Sequence, residues 1–102
     1  MDIQEIINKV KNDNYDLTIH ALKRRIERKI STSEIENAII NGEIIEEYPN
    51  DYPYQSCLVH GFIKNKQPIH IVCAIAQRIK IITIYKPSEN EWIDYKTRRR
   101  KK

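Results

Sequence analysis

Hydrophobic residues recur at helical spacing before Gly42 and in short, continuous runs after it. Steps of three and four residues predict amphipathic helices, whereas runs rich in isoleucine and valine predict strands. Ser31 and Glu34 form a capping box, a helix-start signal, and Gly42 supplies the left-handed residue expected at that helix's end. The pattern thus predicts three helices, at residues 2–11, 18–29 and 31–41.

Four strands are predicted after the helices, because polar connectors separate four apolar runs at residues 44–48, 56–63, 69–75 and 79–85. The last three strands are joined by short connectors, which favour antiparallel neighbours in a meander. The acidic first strand is expected at an edge, where charge discourages unwanted pairing. The predicted fold class is therefore α+β, with N-terminal helices packed on a four-stranded antiparallel meander sheet.

The turn between the second and third predicted strands implies a specific register. If this turn is centred on Asn65, His60 lies opposite His70 across the two strands. The same register places Cys57 opposite Cys73. The cysteine pair and the histidine pair then lie on opposite faces of the sheet, because side chains alternate along a strand. Zinc binding by all four groups would need a bulge, so we expect no metal and no cofactor.

Composition is typical of one globular domain, with 102 residues, 40% hydrophobic and 31% charged. We expect a single domain at residues 1–95 and a basic tail at 96–102. The tail carries six of the 18 cations, which leaves 12 cations against 14 acidic residues elsewhere. This asymmetry favours a polyanionic partner such as RNA. Without an apolar span, and with two unpatterned cysteines, the chain is expected in the cytoplasm, away from membranes.

The second predicted helix carries the candidate chemistry. His20, Arg24 and Arg28 recur every four residues and therefore line one helix face. An imidazole exchanges protons near neutral pH, and a guanidinium group binds phosphate oxygens in pairs. An ordinary solvated flank that pairs with the acidic strand would show the same pattern. The apolar stripe of this helix, expected to face the core, consists of Ile19, Leu22, Ile26 and Ile30.

Short motifs follow one another from Thr18 to Trp92. They are His20-Ala21, Arg24, Glu27-Arg28, Ile30-Ser31, Glu34-Ile35, Asn41-Gly42-Glu43, Tyr48, Asp51, Pro53, Gly61, Pro68-Ile69-His70-Ile71-Val72, Ile82-Thr83-Ile84-Tyr85, Pro87 and Trp92. The series resembles the bacterial and archaeal family called domain of unknown function 4258. The chain departs from that family at Arg25, where methionine is usual, and at Lys29, where glycine is common.

This resemblance implies a small fold like that of the RelE and BrnT ribonuclease toxins, and a small antitoxin protein as partner. Cleavage of RNA by its own 2′-hydroxyl needs a base, an acid and cations that stabilise the phosphorane. We therefore expect a toxin of a toxin–antitoxin pair that acts as a metal-independent RNA endonuclease. The expected catalytic residues are His20, Arg24, His70 and Tyr85, and the expected RNA-binding residues are Arg25, Arg28, Arg98, Arg99 and Arg100.

Two alternatives remain open at the level of sequence. His70 lies in an apolar strand, where a histidine is often a hydrogen-bonded core residue. The basic helix and tail would also suit a non-catalytic module that binds RNA or an acidic protein.

Overall fold

The computed structural model describes residues 1–99, so Arg100 and the last two lysines lie outside the described residues. The helices are α1 (Ile3–Lys11), α2 (Ile19–Glu27) and α3 (Thr32–Ile40). The strands are β1 (Tyr15–Leu17), β2 (Glu43–Tyr48), β3 (Ser56–Ile63), β4 (Gln67–Ala74), β5 (Ile79–Tyr85), β6 (Trp92–Ile93) and β7 (Thr97–Arg98). A 3₁₀ turn at Lys64–Lys66 joins β3 to β4.

The main sheet has five strands in the order β1-β5-β4-β3-β2, and β6 pairs with β7 separately. The α+β class is confirmed, and β2 to β5 pair antiparallel in sequence order as expected. The prediction of four antiparallel strands alone is wrong, because β1 adds a fifth strand parallel to β5. Three residues are too few to show a strand period, and the partner of β1 lies far along the chain. Arg78 supports this pairing by binding Asp16 at 2.9 Å.

The register predicted from the turn after β3 is confirmed. Asn65 has a φ of 60°, the left-handed conformation typical of tight turns. His60 lies opposite His70, and Cys57 lies opposite Cys73. The acidic strand β2 is at one edge of the sheet, as its charges predicted.

The capping box at the start of α3 is confirmed, with Ser31 and Glu34 each bonded to the other's backbone amide. The left-handed role expected for Gly42 is wrong, since among residues 1–99 no glycine has a positive φ. Gly42 is needed instead for close packing. A Cβ atom there would lie 2.4 Å from the Ala38 carbonyl oxygen, and one at Gly61 would lie 2.3 Å from the same atom. Both glycines thus let α3 approach β3 closely.

The core lies between α1, α3 and one face of the sheet. The side chains that meet there are almost entirely aliphatic, which accounts for the isoleucine-rich sequence. Within residues 1–99, no helix is long and apolar enough to cross a membrane. The fully buried members include Ile6, Ile35, Ile39, Ile69, Ile71, Ile79, Ile81 and Ile84.

The orientation of α2 differs from the prediction. Ile19, Leu22 and Ile26 are 74%, 42% and 62% exposed, whereas Ala21 is fully buried. We call these three exposed residues the α2 stripe. The helix is held by its N-cap, because the Thr18 hydroxyl donates to the Ile82 carbonyl at 2.8 Å. A small residue at position 21 then allows α2 to approach β5 closely, and the larger apolar side chains point to solvent.

Candidate functional site

The candidate site lies on the face of the sheet that α1 and α3 leave uncovered, which we call the outer face. His60 and His70 point to it, because their neighbours in sequence point into the core. Strands β6 and β7 form a C-terminal hairpin (residues 92–98) that packs over the two histidines. Trp92 of this hairpin is 2% exposed and lies against His70 with ring centroids 4.5 Å apart.

His70 is fully buried and hydrogen-bonded at both ring nitrogens. Its Nε2 lies 2.6 Å from the Tyr95 carbonyl oxygen, which only accepts, so Nε2 carries the proton. Its Nδ1 lies 3.2 Å from the Tyr85 hydroxyl, which donates to it in the neutral ring. Two sequence-predicted catalytic residues, His70 and Tyr85, are therefore in direct contact.

His60 is the second imidazole of the site, with its ring centroid 5.4 Å from that of His70. It is 3% exposed, and among residues 1–99 no group forms a hydrogen bond with its Nδ1. A small cavity of about 190 Å³ adjoins it, lined in part by Glu43, Phe62 and Lys96. His60 was not among the predicted catalytic residues, although the register that placed it opposite His70 contained the signal.

Burial shifts the pKa values of the acid–base groups of the site. It lowers the pKa of His70, an effect that the Tyr95 carbonyl partly opposes by accepting a hydrogen bond. Burial also lowers the pKa of His60, and the nearby Lys96 ammonium lowers it further. The pKa of Tyr85 is raised, chiefly by burial. At neutral pH the site thus holds two uncharged imidazoles and a protonated phenol.

The acidic strand β2 pairs with the C-terminal hairpin. Glu46 binds Arg98 at 2.9 Å, and Glu43 binds Lys96 at 2.9 Å. The Arg98 guanidinium carbon lies 4.6 Å from the centroid of the Trp92 ring, a cation–π arrangement. The carboxylates of β2 thus hold the cations nearest the two histidines.

A second cavity, of about 440 Å³, lies on the outer face next to this cluster. Val72, Ala74 and Ile82 form its apolar floor, and Lys80 lies at its edge. The remaining wall is the loop after β2, with two tyrosines, Tyr52 and Tyr54, that are 95% and 43% exposed. An apolar floor, exposed aromatic rings and an ammonium group suit a planar, anionic ligand.

The predicted catalytic residues of α2 are not joined to this cluster. His20 is exposed, and within residues 1–99 no hydrogen bond or ring contact links it to His70 or Tyr85. Arg24 forms an ion pair with Glu27 of its own helix at 3.5 Å. Of the four predicted catalytic residues, the structure therefore brings His70 and Tyr85 together.

The predicted RNA-binding arginines are divided between two regions. Arg25 donates from Nη1 to the Ile30 carbonyl at 3.2 Å, and Arg28 is the exposed C-cap of α2. Arg98 lies in the C-terminal hairpin, and Arg99 follows it, with its Nε 2.6 Å from the Glu89 carbonyl. Arg100 belongs to the residues that the structure does not describe.

The cysteines lie on the core face, away from the histidines. Burial raises the pKa of the Cys57 thiol to about 11, and it raises that of Cys73 as well. Across residues 1–99, no three histidine, cysteine, aspartate or glutamate side chains are grouped so as to hold a metal ion. The outer face carries imidazole and phenol groups, which can exchange protons, together with the Arg98 guanidinium, which can bind an anion.

Residues 17–86 match the model of a protein family described as Domain of unknown function (DUF4258). The chain belongs to this family, as the ordered motifs had indicated. The matched range contains His60, His70 and Tyr85 but ends before the C-terminal hairpin that covers them. No curated protein and no solved structure matches the chain.

Proposed function

We propose that the protein is the toxin of a toxin–antitoxin pair and cleaves RNA without a metal ion. The observation that carries this proposal is the cluster of His60, His70 and Tyr85 beside Arg98. It combines two proton carriers, a phenol and a guanidinium group within one ring-contact network. These are the groups that cleavage by the 2′-hydroxyl requires.

In the proposed mechanism His60 is the base, because its lowered pKa keeps it neutral and its Nδ1 has no hydrogen-bond partner in the described chain. It removes the proton of the 2′-hydroxyl, the 2′-oxygen attacks phosphorus, and the bond to the 5′-oxygen breaks. His70, entering as an imidazolium, gives its proton to that oxygen. Arg98 binds the phosphate and stabilises the charge of the transition state.

Access to the site requires the C-terminal hairpin to move. The Tyr95 carbonyl oxygen now occupies the hydrogen-bonding position at His70 Nε2, which an oxygen of RNA takes in the proposed complex. A phosphate group competes with Glu46 for Arg98, and this exchange provides a driving force for opening. Water and a phosphate then surround His70, and both raise its pKa towards the range of a general acid.

The neighbouring cavity of about 440 Å³ supplies a place for a base of the RNA. Tyr52 and Tyr54 offer ring faces for stacking, and Lys80 offers a charge for phosphate. Arg24 and Arg99 remain candidates for contacts with RNA outside the cluster. The proposed location is the cytoplasm, where RNA and an antitoxin are available.

The test is cleavage of RNA in the presence of EDTA. We expect wild-type protein to produce fragments with 2′,3′-cyclic phosphate ends, and His70→Gln to lower the rate by about 10²-fold or more, the usual effect of losing a general acid. Glutamine retains a donor for the Tyr95 carbonyl, and circular dichroism verifies the fold. His20→Gln is the matched control, since it removes an exposed imidazole.

Undiminished cleavage by both His60→Gln and His70→Gln would exclude this site. A large loss in His20→Gln alone would move the catalytic centre to α2.

The second candidate is a non-catalytic module that binds RNA or an acidic protein. The burial of His70 and the closed hairpin favour it. Such a module would bind RNA with an affinity that falls steeply with salt concentration, and the RNA would be recovered intact. Gel electrophoresis of the recovered RNA distinguishes the two functions.

A further inference from the structure

The α2 stripe is an apolar surface that the fold leaves uncovered. Ile19, Leu22 and Ile26 are separated by three and four residues, so they form one continuous row along the helix. Their exposed fractions of 74%, 42% and 62% are unusual for three neighbouring aliphatic side chains. Scattered exposed apolar residues are ordinary, but a contiguous row marks an interaction surface.

The surroundings of the stripe are positively charged. Lys23 and Arg25 lie on its two sides, and Arg28 and Lys29 follow at the end of the helix. Within residues 1–99 none of these four cations forms an ion pair. The only acid of α2, Glu27, is already paired with Arg24. Arg25 also has a buried Nε without a hydrogen-bond acceptor in the described chain.

We propose that the α2 stripe is the docking site for an acidic amphipathic helix of a partner protein. The three-and-four spacing is that of the core positions of a heptad, and such a row packs against the matching row of a second helix. Acidic residues beside the partner's apolar row pair with Lys23 and Arg25, which stand at the flanking positions.

The same observations argue against a second copy of the chain, or RNA, as the partner that binds the α2 stripe. In a symmetric dimer through α2, the lysines and arginines of the two copies would face one another, and like charges oppose association. RNA would satisfy the cations, but aliphatic side chains offer no aromatic ring on which bases stack. An acidic helix satisfies both the charge and the apolar row. This inference does not depend on RNA cleavage, because docking is measured without RNA.

The experiment is selection from a displayed library of helical peptides against the full-length protein. Each peptide carries leucine at its core heptad positions and a random choice of glutamate, glutamine or lysine at the flanking positions. We expect glutamate to be enriched at the flanks. One enriched peptide is then titrated by fluorescence anisotropy, and Ile26→Glu should weaken its binding by about tenfold or more, because it places a charge in the apolar row.

Gln4→Glu is the matched control, since it introduces the same charge at an exposed position of α1 and should leave the affinity unchanged. Ile26 is itself exposed, so the Ile26→Glu variant should fold, and circular dichroism verifies this. Failure to enrich any helix, enrichment without charge preference, or equal binding by Ile26→Glu would each overturn the proposal. A wild-type dimer in gel filtration that Ile26→Glu dissociates would assign the surface to a second copy instead.

Discussion

Lys29 adopts a left-handed backbone conformation directly after α2. Its φ is 54°, in a region where a side chain crowds the backbone and glycine does not. The preceding residue, Arg28, closes the helix, and Ile30 then returns to the core. The backbone path that connects α2 to α3 thus favours, at position 29, a residue that tolerates a positive φ, such as glycine.

Replacing Lys29 by glycine should stabilise the protein. The relief of backbone crowding outweighs the added flexibility of the unfolded chain, and we expect a gain of about 0.5–1 kcal/mol in the free energy of unfolding. Urea denaturation followed by circular dichroism measures it. Lys23→Gly, inside α2, is the control and should cost about 1 kcal/mol. A loss of stability in Lys29→Gly would contradict the assigned conformation.

At the scale of secondary structure, the C-terminal hairpin is the element that decides whether His60 and His70 are accessible. It is held by contacts of different kinds: the Arg98–Glu46 ion pair, the Trp92 ring against His70, and the Tyr95 carbonyl on His70 Nε2. Its strands have only two residues each, so few backbone bonds support it. Docking on the sheet is therefore what orders this hairpin.

Arg98→Ala should loosen the hairpin without unfolding the domain. The variant loses a partly exposed ion pair and a cation–π contact, which together contribute about 1–2 kcal/mol. Trp92 is the only tryptophan of the chain, so its fluorescence reports the hairpin alone. We expect emission to shift to longer wavelength while the far-ultraviolet circular dichroism stays native. Arg78→Ala, which removes an ion pair at the opposite edge of the sheet, should leave the emission unchanged.

Elements that are long, or that are specified by residues close together in sequence, could be predicted from the sequence. The capping box at Ser31 and the turn at Asn65 are local signals, and both predictions were confirmed. Strand β1 was missed because its three residues pair with a strand distant in sequence. The predicted orientation of α2 was wrong. Helical periodicity identifies an apolar row, but the hydrogen bond from Thr18 to β5 determines which way that row points.

The same reasoning applies to the candidate site. The strand register predicted that His60 and His70 are neighbours, and this was confirmed. No local pattern indicated that the Tyr95 carbonyl would return to bind His70, because this contact depends on the path of the chain after β5. The roles of the site residues in RNA cleavage stay predictions.

For the molecule as a whole, the two buried histidines link stability to pH. The pKa of each is lowered by burial, so the unfolded chain binds more protons than the folded one as the pH falls through the ordinary histidine value of about 6.5. The histidine contribution is thus fully present above that pH and is lost below it. Asp16 and Glu34 also have lowered pKa values, but they act in a more acidic range, below their ordinary values of 3.8 and 4.5.

We therefore expect the free energy of unfolding to decrease from about pH 7 to pH 5, the range in which histidine protonation dominates. Urea titrations at several pH values measure this dependence. His60→Gln should flatten it, because one buried imidazole is removed. An unfolding free energy that rises towards pH 5 would show that the histidines are charged in the fold.

The parallel pairing of β1 with β5 also determines when the protein can fold during synthesis. The segment from α1 to α2 leaves the ribosome early, but the strand on which β1 and Thr18 form their hydrogen bonds is translated much later. Until that strand emerges, β1 lacks its pairing partner and α2 lacks the strand on which it chiefly packs. The fold is therefore completed only after β5 has been translated, and shorter nascent chains would expose the apolar surface of this segment to chaperones and proteases.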